Sequence, residues 1–172
     1  MKPPTPADPA AWNAYLAEGN ATQARKRVAA DVLIRDGVGR FLLVNPTYKP
    51  GWDLPGGMAE ANEPPHTAAA RELHEELGLT LAPSVLLVVD WVPPHGPWDD
   101  QVSFIFDGGV LRDDEAAALR PRDEELSELT FVTAEQATVM LRPRLARRFT
   151  AAIAALPLGA PVYLHDGRLL QG

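Results

Sequence analysis

Residues 57–79 read GMAEANEPPHTAAARELHEELGL, and this stretch organises the reading of the whole chain. Glu72, Glu75 and Glu76 stand at i, i+3 and i+4, so a helix places all three on adjoining surface. Like charges so placed repel by about 0.2–0.5 kcal/mol per pair. A face built only for solubility mixes in lysines, so the crowding points to a cation. On the same helix His66, Ala69, Ala70, Leu73 and Leu77 form an apolar stripe for docking, with Arg71 beyond the glutamates. Pro64 suits the first helical position, where a missing N–H is harmless, so the helix is expected to begin near 63–65. Gly78 suits the left-handed residue just past its end.

The spacing G-x5-E-x7-R-E-L-x-E-E-x-G-L resembles the signature of the Nudix hydrolase family, MutT-like, at every defined position. Those positions are Gly57, Glu63, Arg71, Glu72, Leu73, Glu75, Glu76, Gly78 and Leu79. The preceding Trp52-Asp53-Leu54-Pro55-Gly56 is similar to the family's usual lead-in. The motif covers 23 of 172 residues, and the strand pattern around it extends the likeness over most of the chain.

The carboxylates also argue on their own. They are hard oxygen donors that favour Mg²⁺, with Mn²⁺ as a substitute, over zinc. Such a cluster typically works on phosphates, where positioning and charge neutralisation suffice without a protein nucleophile. No GxSxG occurs, and Ser84, Ser103 and Ser127 are isolated. The four histidines form no constellation: His66 belongs to the docked stripe, His74 faces outward, and His95 and His165 sit in loop contexts.

The resemblance implies hydrolysis of the diphosphate linkage of a nucleoside diphosphate derivative by a metal-activated water. By the same resemblance Glu75, Glu76 and the Gly56 carbonyl are metal ligands. Glu72 is a further ligand or the base, while Gly57, Glu63, Arg71 and Gly78 support the box. Many members use one more acidic residue on a loop before the last strand. Residues 123–125 and Glu128 occupy that place, Glu125 is the expected catalytic residue, and Asp99 and Asp100 are runners-up. Lys49 and Trp52 precede the glycine turn and are expected to bind substrate, by charge and by stacking. Members that bind ligands without hydrolysing them usually lose box carboxylates. A nucleotide-binding sensor is therefore the alternative, although every carboxylate is present here.

The substrate is less legible. Pro93 and Pro94 follow the box at about the spacing seen in ADP-ribose-directed members, and NADH- or coenzyme A-directed motifs are not evident. ADP-ribose or another nucleotide sugar and a (deoxy)nucleoside triphosphate stay close rivals. Trp91, Trp98 and the PPHGPWDD loop suit base stacking and ordinary packing equally.

Length and composition set the outer bounds. A chain of 172 residues with 46 % apolar content suits one domain with a sizeable core. The net charge of −7 disfavours coating a nucleic-acid duplex, while a small anionic substrate stays open because bound cations reverse the local field. The absence of cysteine excludes disulfides, thiolate metal sites and a cysteine nucleophile. The opening MKPPTPADPAAW lacks the apolar run of a signal peptide, and no stretch has the length of a membrane span. The expectation is a cytoplasmic enzyme; no heptad or long apolar patch identifies an interface, and a homodimer is left open.

Along the chain, residues 1–7 are proline-rich and expected to be loose. Asp8 and Pro9 can cap and start a helix to about residue 25, with Trp12, Tyr15 and Leu16 on one side. Residues 1–25 are thus expected to form a helical extension packed on a single domain spanning 26–172. Strands are expected over 28–35, 41–44, 85–92, 101–106 and 129–132, with a hairpin turn at Asp36-Gly37. The run 85–92 suits a strand buried on both faces, and 93–100 reads as loop. Partial helix around 114–119, a capping box opening a helix at Thr133, a last helix over 144–156 and a small hairpin around Asp166-Gly167 complete the pattern. Mixed strands flanked by helices make an α/β fold, an α/β/α sandwich with a mixed central sheet, which is also the Nudix fold that the resemblance implies.

Overall fold

A computed structural model describes residues 4–170. Residues 1–3 of the expected loose start, and 171–172 at the end of the expected domain, lie outside the described residues. The elements are α1 (Pro9–Thr22), β1 (Arg27–Arg35), β2 (Phe41–Pro46), β3 (Gly56–Met58), α2 (Pro65–Leu77), β4 (Val85–Val92), β5 (Gln101–Val110), α3 (Asp113–Ala118), β6 (Leu126–Val132), α4 (Ala134–Met140), α5 (Pro143–Ala155), β7 (Val162–His165) and β8 (Arg168–Leu169).

One eight-stranded sheet runs β6-β2-β1-β5-β4-β7-β8, with β3 paired to β1. The β1/β5 and β4/β7 pairs are parallel, and the others are antiparallel. The sheet is therefore mixed. Successive side chains of β1 point to opposite faces, and both faces are covered. Val32 and Ile34 pack with Ala69, Leu73 and Leu77 of α2 and with Leu119 after α3. Leu33 packs with Phe149 and Ala152 of α5 and Ala137 of α4. This is the expected α/β/α sandwich.

Local chemistry explains several boundaries. Thr133 accepts from the Gln136 amide at 3.3 Å while the Gln136 side chain accepts from the Thr133 amide at 2.9 Å, the reciprocal box that opens α4. Gly78 closes α2 at φ 68°, and the amides of Gly78 and Leu79 reach back to His74 and Leu73. The α2 start falls within the expected 63–65, with Pro64 as the cap and Pro65 the first helical residue. Its docked stripe differs, since His66 is exposed, Ala70 is half-buried and Ala68 is fully buried. The buried face is thus centred on Ala69, Leu73 and Glu76 and rotated away from His66 and Ala70.

The N-terminal helix forms where expected, with Asp8 capping the Ala11 amide at 3.1 Å. No residue of α1 is buried, Trp12 is half-buried, and Tyr15 and Leu16 are exposed. The Trp12 and Tyr15 rings lie against each other on one side of the helix, with centroids 5.8 Å apart. Among the described residues no helix is long and apolar enough to cross a membrane.

Candidate active site

The β1 and β2 strands pair only at Arg35 and Phe41 and splay apart toward the other end. The segment between β2 and α2 fills the gap. Val44 and Asp53 exchange backbone hydrogen bonds at 2.8–2.9 Å, Pro55 accepts from Val32, and β3 pairs with β1 through Asp31↔Gly56 and Ala30↔Gly57. Two glycines make this close approach feasible. Gly56 has φ 134°, and a Cβ there would lie 2.3 Å from the Ala30 carbonyl oxygen. A Cβ on Gly57 would lie 2.6 Å from the Glu72 carboxyl carbon. The turn is thus wedged between β1 and the acidic face of α2.

A cleft of about 680 Å³ opens beside this turn. Its acidic side is Asp31, Glu72, Glu76 and Glu125, and Lys49, Arg142, Arg144 and Arg148 approach it from other elements. Glu76 is 6 % exposed and accepts from the Gly56 amide at 3.2 Å. Burial pushes its carboxyl up to about 8; the Gly56 amide opposes this, while Glu72, Asp123 and Asp31 add to it. Burial likewise raises Glu72 against the opposing effect of Arg71. Asp31 is pushed up to about 7, first by burial, with Arg148 opposing and Asp53 and Glu72 reinforcing. Removing carboxylates from water beside one another costs free energy that a cation offsets.

Arg71 ties the segment together. Its Nε and Nη2 donate to the two Glu63 oxygens at 3.0 Å, Nη2 also donates to the Met58 carbonyl at 3.1 Å, and Nη1 donates to Glu72 and Glu75 at 3.0 and 2.9 Å. Such a fork is the geometry in which guanidinium exceeds ammonium. Glu75 is therefore turned to Arg71, with its side chain 53 % exposed, and does not line the cleft.

The other expected site residues divide. Glu125 lines the cleft, at the loop where its carbonyl accepts from the Thr47 amide at 2.8 Å. Lys49 lines it too, ion-paired with Asp53. Trp52 does not: it packs against the apolar cluster under α4 and α5, where a large ring gains more from burial than from a wet cleft. Of the runners-up, Asp100 pairs with Lys26 and accepts from the Trp91 indole, and neither Asp99 nor Asp100 lines the cleft.

Asp31 and Arg148 were not anticipated. Arg148 is 8 % exposed, donates through Nε to Asp90 at 2.7 Å, and has Nη1 4.0 Å from Asp31. Asp90 is fully buried, and its other oxygen accepts from the Gly167 amide at 2.9 Å. The available signal was a charge inside an apolar strand or helix face; pairing Asp31, Asp90 and Arg148 required the sheet order.

The donors facing the turn are all oxygens, Glu72 and Glu76 beside the Gly56-Gly57 backbone, and they fit a hard divalent cation. Among the described residues no three Asp, Glu or His side chains are gathered to enclose an ion by themselves.

Comparison with known proteins agrees with this architecture. The NUDIX domain family matches residues 25–153. Phosphatase NudJ of Escherichia coli K12 is 31 % identical over 101 residues, covering 57 % of this chain and 63 % of that protein. The chain thus spans less than two thirds of the length of the curated relatives it matches. The MutT protein of Methanosarcina mazei Go1 superposes with a TM-score of 0.61 at 27 % identity, covering 74 % of this chain and 93 % of that one. A UDP-X diphosphatase superposes at 0.65 with 17 % identity, over 91 % and 87 % of the two chains, a likeness of fold alone. With the family matched over residues 25–153, three quarters of the chain, and the fold shared with the MutT protein, this chain belongs to the NUDIX family.

Proposed function

We propose that this protein hydrolyses the diphosphate linkage of a nucleoside diphosphate derivative, with Mg²⁺ as cofactor and Mn²⁺ as substitute. The observation that carries the reading is the pair Glu72 and Glu76, drawn out of solvent against the Gly56-Gly57 turn in a cleft of about 680 Å³. The phosphatase and MutT relatives support the reaction class. Glu72, Glu76 and the Gly56 carbonyl would hold the cation. Mg²⁺ is usually bound through one or two carboxylates plus substrate phosphate oxygens, which suits so sparse a donor set. When bound it neutralises phosphate charge and lowers the pKa of a coordinated water. Glu75 would join by turning away from Arg71.

The protein's own groups do the rest. Glu72 and Glu125 both line the cleft, and either would accept the proton of the attacking water. The water oxygen bonds to phosphorus, the bridging P–O bond breaks, and the leaving phosphate takes the electron pair. Lys49 and Arg142, both lining the cleft and both paired with Asp53, are placed to offset charge on the substrate's phosphates. Arg71 and Glu63 hold the turn to α2. The chain's freedom from cysteine suits action in a reducing cytosol.

The test is product release from a panel of nucleoside diphosphate derivatives, including ADP-ribose, nucleotide sugars and nucleoside triphosphates, with Mg²⁺. Turnover in the wild type and its loss in Glu76→Gln is the expected result. Near wild-type turnover in Glu76→Gln would overturn the assignment. Binding of a nucleotide with no product would favour the sensor reading.

A further inference from the structure

Along one wall, the cleft changes from acidic to aromatic. Arg27, Ala29 and Asp31 all line it, and as alternate residues of β1 they share one face. Asp31 is in register with Gly56, at the acidic turn. Arg27, four residues away at about 3.3 Å per residue, is ~13 Å along the strand. The residue between them is alanine, which leaves the floor low over that span.

At the Arg27 end stands Trp98, in the loop between β4 and β5. The ring lines the cleft and is 54 % exposed, which is unusual for a large aromatic side chain. The Arg27 guanidinium sits 4.6 Å from the ring centroid, a cation–π contact that covers one face of the ring. Its loop is fastened on both sides. His95 and Trp98 exchange backbone hydrogen bonds at 3.0 Å, Arg27 donates to the Asp99 carbonyl at 3.4 Å, and Asp100 pairs with Lys26. A held but exposed aromatic face is a stacking surface.

Other tryptophans are committed elsewhere. Trp91 donates its indole N–H to Asp100 at 2.9 Å and meets the His165 ring edge-on at 4.9 Å. Trp52 is half-buried and packs against the apolar cluster under α4 and α5, outside the cleft.

We infer that Trp98, backed by Arg27, is the platform on which the substrate's nucleobase stacks, with the ribose over Ala29 and the diphosphate at the Gly56 turn. The inference rests on the proposed function for its substrate class. It makes Trp98 the residue that distinguishes nucleoside diphosphates from diphosphates lacking a base.

Two measurements on wild type, Trp98→Ala, Trp98→Leu and Trp98→Phe test it. The first is calorimetric binding of a nucleoside 5′-monophosphate without metal, and the second is hydrolysis of a nucleoside diphosphate derivative and of inorganic tripolyphosphate with Mg²⁺. Losing the stack is expected to weaken monophosphate binding and raise KM for the nucleoside substrate about tenfold in the Ala and Leu variants. Phe should restore most of both, kcat should change by less than about threefold, and tripolyphosphate kinetics should not move. Unchanged nucleoside KM and binding in Trp98→Ala would overturn the platform while leaving hydrolysis standing. So would a parallel loss on tripolyphosphate, or recovery by Leu as complete as by Phe. If the wild type hydrolyses nothing, the proposed function fails; the platform then stands if Trp98→Ala weakens monophosphate binding and falls if it does not.

Discussion

The amide of Gly56 donates to Oε2 of Glu76 across 3.2 Å, joining a turn held against β1 to a carboxylate buried on α2. The bond positions Glu76 but does not neutralise it, since burial still pushes its carboxyl up to about 8. Charge compensation is left to a ligand. The consequences of this division, and of the packing that enforces it, can be measured.

Mg²⁺ is expected to raise the melting temperature of the wild type by mass action, because it binds the folded chain at groups dispersed in the unfolded one. Glu76→Gln keeps an acceptor for Gly56 but removes the charge, so the Mg²⁺-dependent rise should largely vanish. The metal-free variant should melt at or above the wild type. An undiminished Mg²⁺ shift in Glu76→Gln, followed by scanning calorimetry, would contradict the ligand assignment.

The two turn glycines should fail differently. At Gly56 a methyl group meets backbone at 2.3 Å from Ala30 and 2.7 Å from Asp31, at φ 134°. Gly56→Ala should cost about 3 kcal/mol or more in urea unfolding, because strand and turn must separate. At Gly57 the obstacle is the Glu72 carboxyl, 2.6 Å away at the end of a flexible side chain. Gly57→Ala should therefore reduce turnover by about tenfold or more with a smaller loss of stability. Equal stability losses in the two variants would refute the distinction.

Arg148 and Asp90 should be strongly coupled. Arg148→Met strands the fully buried Asp90 without its 2.7 Å partner, at an expected cost of about 3–5 kcal/mol. Combining it with Asp90→Asn, which still offers an acceptor to the Gly167 amide, should recover part of that loss. The informative number is the double-mutant coupling energy from denaturation; simple additivity would show that the pair is not a unit.

Asp36 should shape the acid limb of stability. It is 5 % exposed. Burial raises its carboxyl, but hydrogen bonds from the Arg40 amide, the Arg40 side chain and the Val38 amide outweigh that, holding it below the ordinary 3.8. With the folded value lower than the unfolded one, its contribution is present above about pH 4 and is lost as pH falls through the folded value. Asp36→Asn should be less stable than wild type at pH 7, and the gap should close toward pH 3. A gap independent of pH in parallel denaturation curves would remove the carboxylate from this role.

Much of the fold was legible because its signals are local. Alternation over 28–35 and 101–106, the Asp36-Gly37 turn, the Thr133 box and the Gly78 cap each depend on neighbours within a few residues, and each appears in the structure. Features that depend on distant partners are not readable in this way. Trp12, Tyr15 and Leu16 share a helix side, yet whether that side docks depends on a surface elsewhere in the chain. Trp52, expected at the substrate from its place before the glycine turn, packs against the α4–α5 cluster.

The site divides along the same line. Residues 57–79 alone determined a capped acidic helix after a glycine turn and a match to the Nudix signature, since spacing within one helix fixes which side chains are neighbours. Tertiary structure decided which of those carboxylates face the cleft: Glu72 and Glu76 do, while Arg71 holds Glu75 outside it. It also brought Asp31 beside Arg148 and set Trp98 on Arg27. These pairs lie 117 and 71 positions apart in the chain. Their contact follows from the β1–β5–β4 strand order, which brings α5 over β4 beside Asp31 and the Trp98 loop beside Arg27, and side-chain periodicity does not encode it.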